Sequence, residues 1–250
     1  MKHIKLFETA TAFEAARATL DLPNVSLIEA TNGINYLPYV ASDPSNGHEY
    51  VEIGGIKWAT MNIGANSITD TGLYFQWGDT QGYTAESGKR FQWEYNGYKY
   101  STSSSNMTKY NSTDELTALL SEDDAVTTAW GGNWRTPTPS ECQALKDAVN
   151  IEWTTNYLDS GVKGFICTDK TDSSKVLFFP ATGWCEGSNF YNTDECRCWS
   201  SSLLNTNVSK AYNMQLLYTS NVNYTSFVPK DSKYRYYGYS VRGVLDDSNS

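Results

Sequence analysis

The chain has 250 residues, a formal net charge of −9 and a pI near 4.7, and this acidic balance disfavours a nucleic-acid partner, which needs clustered lysine and arginine. No apolar run approaches the roughly 18 residues of a membrane-spanning helix, so we expect no membrane insertion. Aromatic residues make up 14% of the chain, which supports a sizeable core despite a mean hydropathy of −0.50.

The first 40 residues differ in composition from the rest, because all eight tryptophans lie between Trp58 and Trp199. Residues 1–40 predict a β-α-β-β module with a strand at 4–7, a helix begun by a Thr11–Glu14 capping box, and strands at 25–28 and 34–37 around an Asn32-Gly33 turn. A unit of about 40 residues rarely stays folded alone, so it would serve docking or oligomerisation, or pack as a subdomain on its neighbour. The candidate docking residues are Ile4, Leu6, Phe7, Phe13, Val25, Ile28, Ile34 and Tyr36.

The chain start lacks the pattern of a secretory signal. Basic residues come first, but Glu8 and Thr9 interrupt the segment before an apolar stretch develops. We therefore expect a protein that begins in a cytoplasm. Residues 41–49, which are rich in turn formers, are predicted to link the module to a second domain at 50–250.

Residues 50–250 combine short strands with a few capped helices, the pattern of an α+β domain. Residues 81–112 are polar and aromatic without a period and predict a long surface excursion. The capping-box pair Thr138 and Glu141 begins a helix, and helical composition also marks 114–120 and 122–128. Strands are predicted on both sides of Gly54-Gly55 and at 72–79, 162–167, 176–179, 197–201, 211–218 and 239–244.

The segment Trp130–Glu141 packs two tryptophans, a glycine pair, an arginine and a helix start into twelve residues. We predict a structural fastening in which Trp130 and Trp134 anchor the core. Arg135 and Arg242 each lie among aromatic residues, so we expect them to stack on rings or bind carbonyl groups rather than touch a ligand.

The five cysteines are predicted to be small buried thiols, because their number is odd and their spacing irregular. They are Cys142, Cys167, Cys185, Cys196 and Cys198. A bridge from Cys185 to Cys196 or Cys198 stays open if the protein matures outside the cell. Only two histidines occur, and both are remote in sequence, so we expect no metal, no cofactor and no catalytic residue.

Seven motifs follow one another along the second domain: Val51–Gly64, Tyr74–Asp79, Asp124-Ala125, Trp130–Glu141, Phe179–Gly183, Trp199–Ser202 and Ser240–Arg242. In this order they resemble the major paralogous domain of the C-type-lectin-like superfamily, which abounds in gut bacteria and their phages. The resemblance implies a C-type-lectin-like fold with two small sheets, two helices and long loops stabilised by aromatic motifs.

Residues 3–38 are similar to the start of many virion proteins of crAss-like gut phages. With the missing signal peptide, this implies a phage virion structural protein, assembled in the host cytoplasm as a head fibre, capsid decoration or tail-associated fibre. Residues 1–40 would bind other capsid or tail proteins, and the second domain would bind host-surface or gut glycans or proteins. We expect a homo-oligomer, and trimers are the habit of phage fibres.

Two other classes stay open. A bacterial surface adhesin of the same fold would fit if its export signal had been removed. Formylglycine-generating enzymes share the superfamily, and Arg135–Glu141 echoes their helix-start motif, but no histidine lies near the cysteines to act as a base. A calcium-dependent lectin is disfavoured, because the Glu-Pro-Asn, Gln-Pro-Asp and Trp-Asn-Asp tripeptides of such lectins do not occur in the sequence.

The segment from Leu203 to Tyr239 alternates structural residues with Asn, Tyr, Ser and Thr, a composition typical of binding loops. In related proteins of this fold, the corresponding segment is the variable target of diversity-generating retroelements. Alternatively, tyrosines at strand positions pack against the sheet, as we expect of Tyr212 and Tyr218. The candidate ligand-binding face consists of Asn205, Asn207, Asn221, Asn223, Tyr224, Tyr234, Arg235, Tyr236 and Tyr237.

Overall fold

The computed structural model describes residues 25–29, 36–40, 45–88, 93–103, 105–191 and 193–246. The chain forms two compact units, Met1–Asp43 and Pro44–Ser250. Among the candidate docking residues, those in described strands are Val25, Ile28 and Tyr36. The predicted first strand and helix lie outside the described residues, and so do Ile4, Leu6, Phe7, Phe13 and Ile34.

The first unit contains an antiparallel hairpin of β1 (Val25–Glu29) and β2 (Tyr36–Val40). Each residue of β1 pairs with a residue of β2 so that the register is symmetric about the Asn32–Gly33 bond. The sequence predicts the turn at this same bond, although the turn itself lies outside the described residues. The second strand extends beyond its predicted end to Val40.

The second unit consists mainly of short strands and contains few helices. Its strands are β3 (Tyr50–Ile53), β4 (Ile56–Asn62), β5 (Ser101–Ser103), β6 (Asn106–Met107), β7 (Trp134–Arg135), β8 (Val149–Thr154), β9 (Gly164–Asp169), β10 (Val176–Pro180), β11 (Trp184–Glu186), β12 (Asn189–Tyr191), β13 (Glu195–Leu203), β14 (Lys210–Thr219), β15 (Tyr224–Tyr234) and β16 (Arg242–Leu245). The α-helices of the described part are Ala85–Gly88, Ala125–Trp130 and Pro139–Ala148. The unit is therefore β-rich with short helices, in line with the predicted class at this coarse level.

A four-stranded antiparallel sheet of order β3-β4-β16-β7 joins the beginning, middle and end of the second unit. Gly54 and Gly55 make the tight turn between β3 and β4 with φ of 63° and 74°, as the glycine pair predicts. Two three-stranded sheets, β13-β14-β15 and β10-β9-β8, lie in the same unit. The helix Pro139–Ala148 packs against β13, β14 and β15, so helix and sheet share one core.

The capping box that begins this helix is confirmed. Thr138 Oγ1 accepts from the Glu141 N–H at 3.2 Å, and Glu141 Oε2 accepts from the Thr138 N–H at 2.7 Å. These bonds satisfy backbone donors that a helix start otherwise leaves unpaired. Cys142 and Leu145 of this helix face the core, and the chain continues directly into β8 at Val149.

The prediction that Trp130 and Trp134 anchor the core is confirmed. Trp134 is 1% exposed, lies edge-on to Trp130 with 5.2 Å between ring centroids, and donates through Nε1 to the Ser45 carbonyl at 2.6 Å. His48 stacks on Trp130 at 4.3 Å. Part of the predicted linker therefore packs against this segment.

Arg242 is fully buried and bonds only neutral acceptors, as predicted. Its Nε donates to Asn62 Oδ1 at 2.7 Å, and its two terminal nitrogens donate to the carbonyls of Ala59 and Phe178, each at 3.0 Å. The guanidinium lies over the ring of Phe179, 4.5 Å from the centroid. Burial lowers the pKa of Arg242. These bonds join β4 to β10.

Arg135 has other partners than predicted. Its guanidinium makes a two-point ion pair with Glu141 at 2.9 and 2.7 Å, and its Nε donates to Asp246 at 3.0 Å. Its side chain is about one third exposed. Two carboxylates therefore hold this cation, and the predicted carbonyl contact is present as a longer bond from Nη1 to the Thr136 carbonyl at 3.4 Å.

Three predicted elements are wrong. Residues 72–79, predicted as a strand leading into a turn, form only single bridges at Tyr74 and Phe75, although the turn is present at 77–78. Residues 114–120 form no helix, because the Asp114 carboxylate accepts backbone N–H groups and closes a loop instead. The excursion at 81–112 is not a surface feature throughout, because Trp93, Tyr98, Tyr100 and Tyr110 are buried.

Candidate functional site

The predicted ligand-binding residues fall at opposite ends of β14. In the register of β14 and β15, Thr219 faces Tyr224 at one end and Lys210 faces Tyr234 at the other. Ten strand residues at about 3.3 Å each separate these ends by roughly 30 Å. The prediction of one continuous face is therefore wrong: Asn221, Asn223 and Tyr224 lie at one end, and Asn205, Asn207 and residues 234–237 at the other.

Arg235 is fully buried and cannot contact a ligand at the surface. Its Nε donates to Tyr98 Oη at 2.8 Å, and its Nη1 donates to the carbonyls of Val208 at 3.0 Å and Tyr110 at 3.2 Å. Its Nη2 donates to the carbonyl of Lys109 at 3.1 Å. The prediction that Arg235 belongs to the binding face is wrong, because its side chain turns inward and fastens three segments together.

Asp123 also holds the segment 99–110 in place through side-chain bonds. Its carboxylate accepts from Lys109 Nζ at 2.5 Å, Tyr110 Oη at 2.7 Å, Lys99 Nζ at 3.2 Å and the Tyr100 hydroxyl. Burial by itself raises the pKa of this carboxyl, but the hydrogen bonds, led by that of Lys109, outweigh burial and lower the pKa to about 2. The segment before Asp123 is therefore held by a charged bond network.

Six partly exposed aromatic rings lie in continuous contact beside these fastenings. We call them the aromatic platform: Tyr95, Trp184, Tyr191, Tyr234, Tyr236 and Tyr237. Trp184 stacks on its cross-strand partner Tyr191, with ring centroids 4.2 Å apart, and tilts against Tyr237 at 5.3 Å. Tyr236 lies edge-on to Tyr237 at 4.9 Å and to Tyr95 at 4.5 Å, and it stacks parallel to Tyr234 at 5.5 Å.

Charged groups border the platform. Tyr237 Oη donates to Glu186 Oε1 at 2.6 Å, and burial together with this carboxylate raises the pKa of Tyr237, so the phenol stays protonated. Lys210 Nζ lies 5.0 Å from the centroid of the Tyr234 ring. Glu94 is exposed next to Tyr95. The platform thus combines ring faces with carboxylates.

The predicted asparagines serve largely as turn residues. Asn207 Oδ1 accepts from the N–H and the hydroxyl of Ser209, at 3.1 and 2.6 Å. Asn223 adopts a left-handed backbone with φ of 46°, and its Oδ1 accepts from Tyr218 Oη at 3.0 Å. Asn205 and Asn221 are exposed in these same two turns. Tyr224 is 60% exposed at the tip of the β14–β15 hairpin.

Of the six platform residues, the sequence predicts Tyr234, Tyr236 and Tyr237 as ligand-binding residues, but it does not predict the other three. The missed residues are Tyr95, Trp184 and Tyr191, together with the bordering Glu186. Trp184 and Tyr191 meet only because β11 and β12 pair, and no composition signal marks that hairpin. The aromatic composition of 81–112 is a signal that includes Tyr95, but it does not reveal that Tyr95 contacts Tyr234 and Tyr236.

All five cysteines are free and buried, which confirms their prediction as buried thiols. The Sγ atoms of Cys196 and Cys198 lie 3.7 Å apart. The Cys198 thiol lowers the pKa of Cys196 by hydrogen bonding, against the opposing effect of burial, whereas burial raises the pKa of Cys185 to about 12. The side chain of Arg197 points away from both sulfur atoms, toward Glu195 and Asp231, as strand alternation predicts.

Within the described ranges, no three His, Cys, Asp or Glu side chains are grouped so that they could hold a metal ion. No helix of those ranges is long and apolar enough to cross a membrane. No family model matches the chain, and no curated protein and no solved structure matches it either.

We expect Asp123 to make the free energy of unfolding depend on pH between about pH 4 and pH 2. Its pKa in the folded protein is about 2, below the ordinary value of 3.8, so the ionised carboxylate stabilises the fold above about pH 4 and this contribution is lost as the pH falls toward 2. Asp123→Asn should lower the free energy of unfolding by about 3 kcal/mol at pH 7.

Urea unfolding at about pH 7 and pH 3 measures both effects. Asp123→Asn should lose less stability between the two pH values than the unchanged protein, because the titrating group is gone. Asp147→Asn, on the exposed side of the helix Pro139–Ala148, is the control and should keep the original pH dependence. Equal pH dependence in Asp123→Asn and the unchanged protein would contradict the assignment.

Proposed function

We propose that the protein is a phage virion structural protein, a head fibre, capsid decoration or tail-associated fibre, whose second unit binds glycans or proteins on the host surface. The aromatic platform carries the recognition part of this proposal. Its six rings are partly exposed and in contact with one another, and contiguous apolar surface of this kind often marks a binding site. Tyrosine and tryptophan also supply large contact area at low entropic cost.

We propose further that the second unit has a C-type-lectin-like fold. The order of its motifs supports this fold, and so does the sheet in which β3 and β4 at the start of the unit meet β16 near its end. The capped helix and the aromatic packing of Trp130–Glu141 support the same proposal, because the resemblance implies helices and aromatic motifs. Segments without regular structure are held by aromatic packing and by the buried Arg235.

The burial of the thiols supports a role without catalysis. A nucleophilic cysteine must be accessible and activated by a base. Every cysteine here is buried. His48 stacks on Trp130, and burial lowers its pKa. A structural and binding protein fits these features better than an enzyme of the formylglycine-generating type.

The docking role is proposed for the first unit. It is a compact unit of 43 residues with its own hairpin, the size at which a domain gains stability by binding a larger partner. Attachment to capsid or tail proteins, or to other copies of the chain, would supply that stability. The second unit would then be displayed away from the particle.

Platform substitutions test the recognition role. Tyr191→Ala and Tyr236→Ala should each weaken binding of the purified protein to host cells at least tenfold, because each removes an aromatic contact. Tyr224→Ala removes a more exposed ring at the far end of the β14–β15 hairpin and should change binding less than twofold. Cell-binding isotherms measure all three, with circular dichroism as the check on folding. Unchanged binding by both platform variants would overturn the recognition role.

Deletion of residues 1–43 tests the docking role. Phage particles grown with the shortened gene should lack the protein, because the unit that attaches it is gone. Mass spectrometry of purified particles measures its copy number, and the soluble fraction of the lysate shows whether the shortened chain is made and folded. Shortened protein present in the particles at the normal copy number would contradict the proposal.

A further inference from the structure

We infer that the aromatic platform, together with Glu186 and Glu94, is a site for the cationic side chains of a host-surface protein, arginine above all. This inference rests on the proposed recognition function and narrows its ligand from glycans or proteins to a basic protein surface. The platform's rings, its carboxylates and the charge of the whole chain each favour a cation.

The rings offer faces that attract positive charge. An aromatic ring has a negative face, and Tyr and Trp faces bind ammonium and guanidinium groups within about 6 Å of the centroid. Lys210 Nζ already lies 5.0 Å from the centroid of Tyr234, so a cation rests on one platform ring within the protein itself. Tyr191 is 37% exposed and stacks on Trp184, which places ring surface at the opposite end within reach of a partner.

Two carboxylates, Glu186 and Glu94, lie beside the turn of the β11–β12 hairpin, and Glu186 accepts from the platform residue Tyr237. Glu186 precedes Gly187, and Glu94 Oε1 lies 3.9 Å from the position that a Cβ of Gly187 would occupy. The backbones also join there, because Trp93 N–H donates to the Gly187 carbonyl at 2.9 Å. Ring faces and negative charges are therefore neighbours, which suits a planar guanidinium that can stack and form ion pairs at once.

The Glu186 carboxylate is oriented so that it can accept hydrogen bonds from a cationic ligand. Its Oε1 accepts one hydrogen bond from Tyr237 Oη at 2.6 Å. A carboxylate has about four acceptor positions, so this bond orients Glu186 and leaves capacity for a ligand. Because the raised pKa of Tyr237 keeps its phenol protonated, the orienting bond persists at neutral pH.

The net charge of the chain also favours a cationic ligand. A net charge of −9 attracts a basic surface and repels acidic polymers. Such attraction weakens as salt screens it, over about 10 Å at 0.1 M ionic strength. Stacking of a neutral sugar on the same rings would depend little on salt, so salt dependence separates the two kinds of ligand.

The test uses the full chain and two acetylated tetrapeptide amides, tetra-arginine and its uncharged counterpart tetra-citrulline. Tetra-arginine should bind, and tetra-citrulline should bind at least tenfold more weakly, because it keeps the shape but not the charge. The double variant Glu94→Gln/Glu186→Gln should weaken tetra-arginine binding about tenfold and reduce its salt dependence. Isothermal titration calorimetry at two salt concentrations measures these constants.

A charge-matched control separates the site from the overall charge. Glu115→Gln/Glu152→Gln removes the same two charges from exposed positions outside the platform and should change binding less than threefold. Equal losses in the two double variants, or equal binding of the two peptides, would overturn the cation site.

Binding of the protein to treated host cells distinguishes failure of this inference from failure of the proposed function. Protease treatment of the cells should abolish binding, whereas mild periodate, which cleaves the vicinal diols of sugars, should not. Loss of binding after periodate alone, with Tyr236→Ala still defective, would overturn the basic-protein ligand and leave surface recognition standing. Normal cell binding by Tyr236→Ala and Tyr191→Ala would remove the recognition role itself.

Discussion

The buried guanidinium of Arg235 is the interaction on which the surface of the second unit depends. It lies over the rings of Trp77 and Tyr98, at 4.9 and 5.1 Å from their centroids, and donates to backbone carbonyls of segments more than 100 residues away in sequence. Its neighbours Tyr234 and Tyr236 stack in parallel in the platform while Arg235 points inward. The bonds of this inward cation thus position the backbone from which the two outward rings project.

Arg242 holds strands of different sheets together, as Arg235 holds the surface segments together. Both are fully buried, and their hydrogen bonds go to carbonyl, amide and hydroxyl oxygens rather than to carboxylates. A buried cation is costly unless its donors are satisfied, so only the fold that brings those oxygens together accommodates it. Asp123 supplies the matching anion for Lys99 and Lys109 near the surface. Charged groups here specify which irregular segments meet.

Local features were predictable from the sequence, and non-local ones were not. The Thr138–Glu141 cap, the Gly54-Gly55 turn and the burial of the cysteines follow from short-range chemistry, and the structure confirms them. Arg235 was misassigned because composition does not reveal which way a side chain points. Trp184 and Tyr191 join the aromatic platform only through strand pairing and contact with Tyr237, which no local pattern encodes. The division of the predicted face likewise follows from the length of β14.

Hydrogen–deuterium exchange of Arg235→Met tests most directly whether this buried cation holds the platform in place. The substitution keeps an inward apolar chain but removes every donor of the guanidinium. Exchange should accelerate at 98–110, at 204–210 and at 234–237, while β4, β13 and β16 keep their protection. Unchanged protection at 234–237, or an equal loss of protection throughout the second unit, would contradict the account.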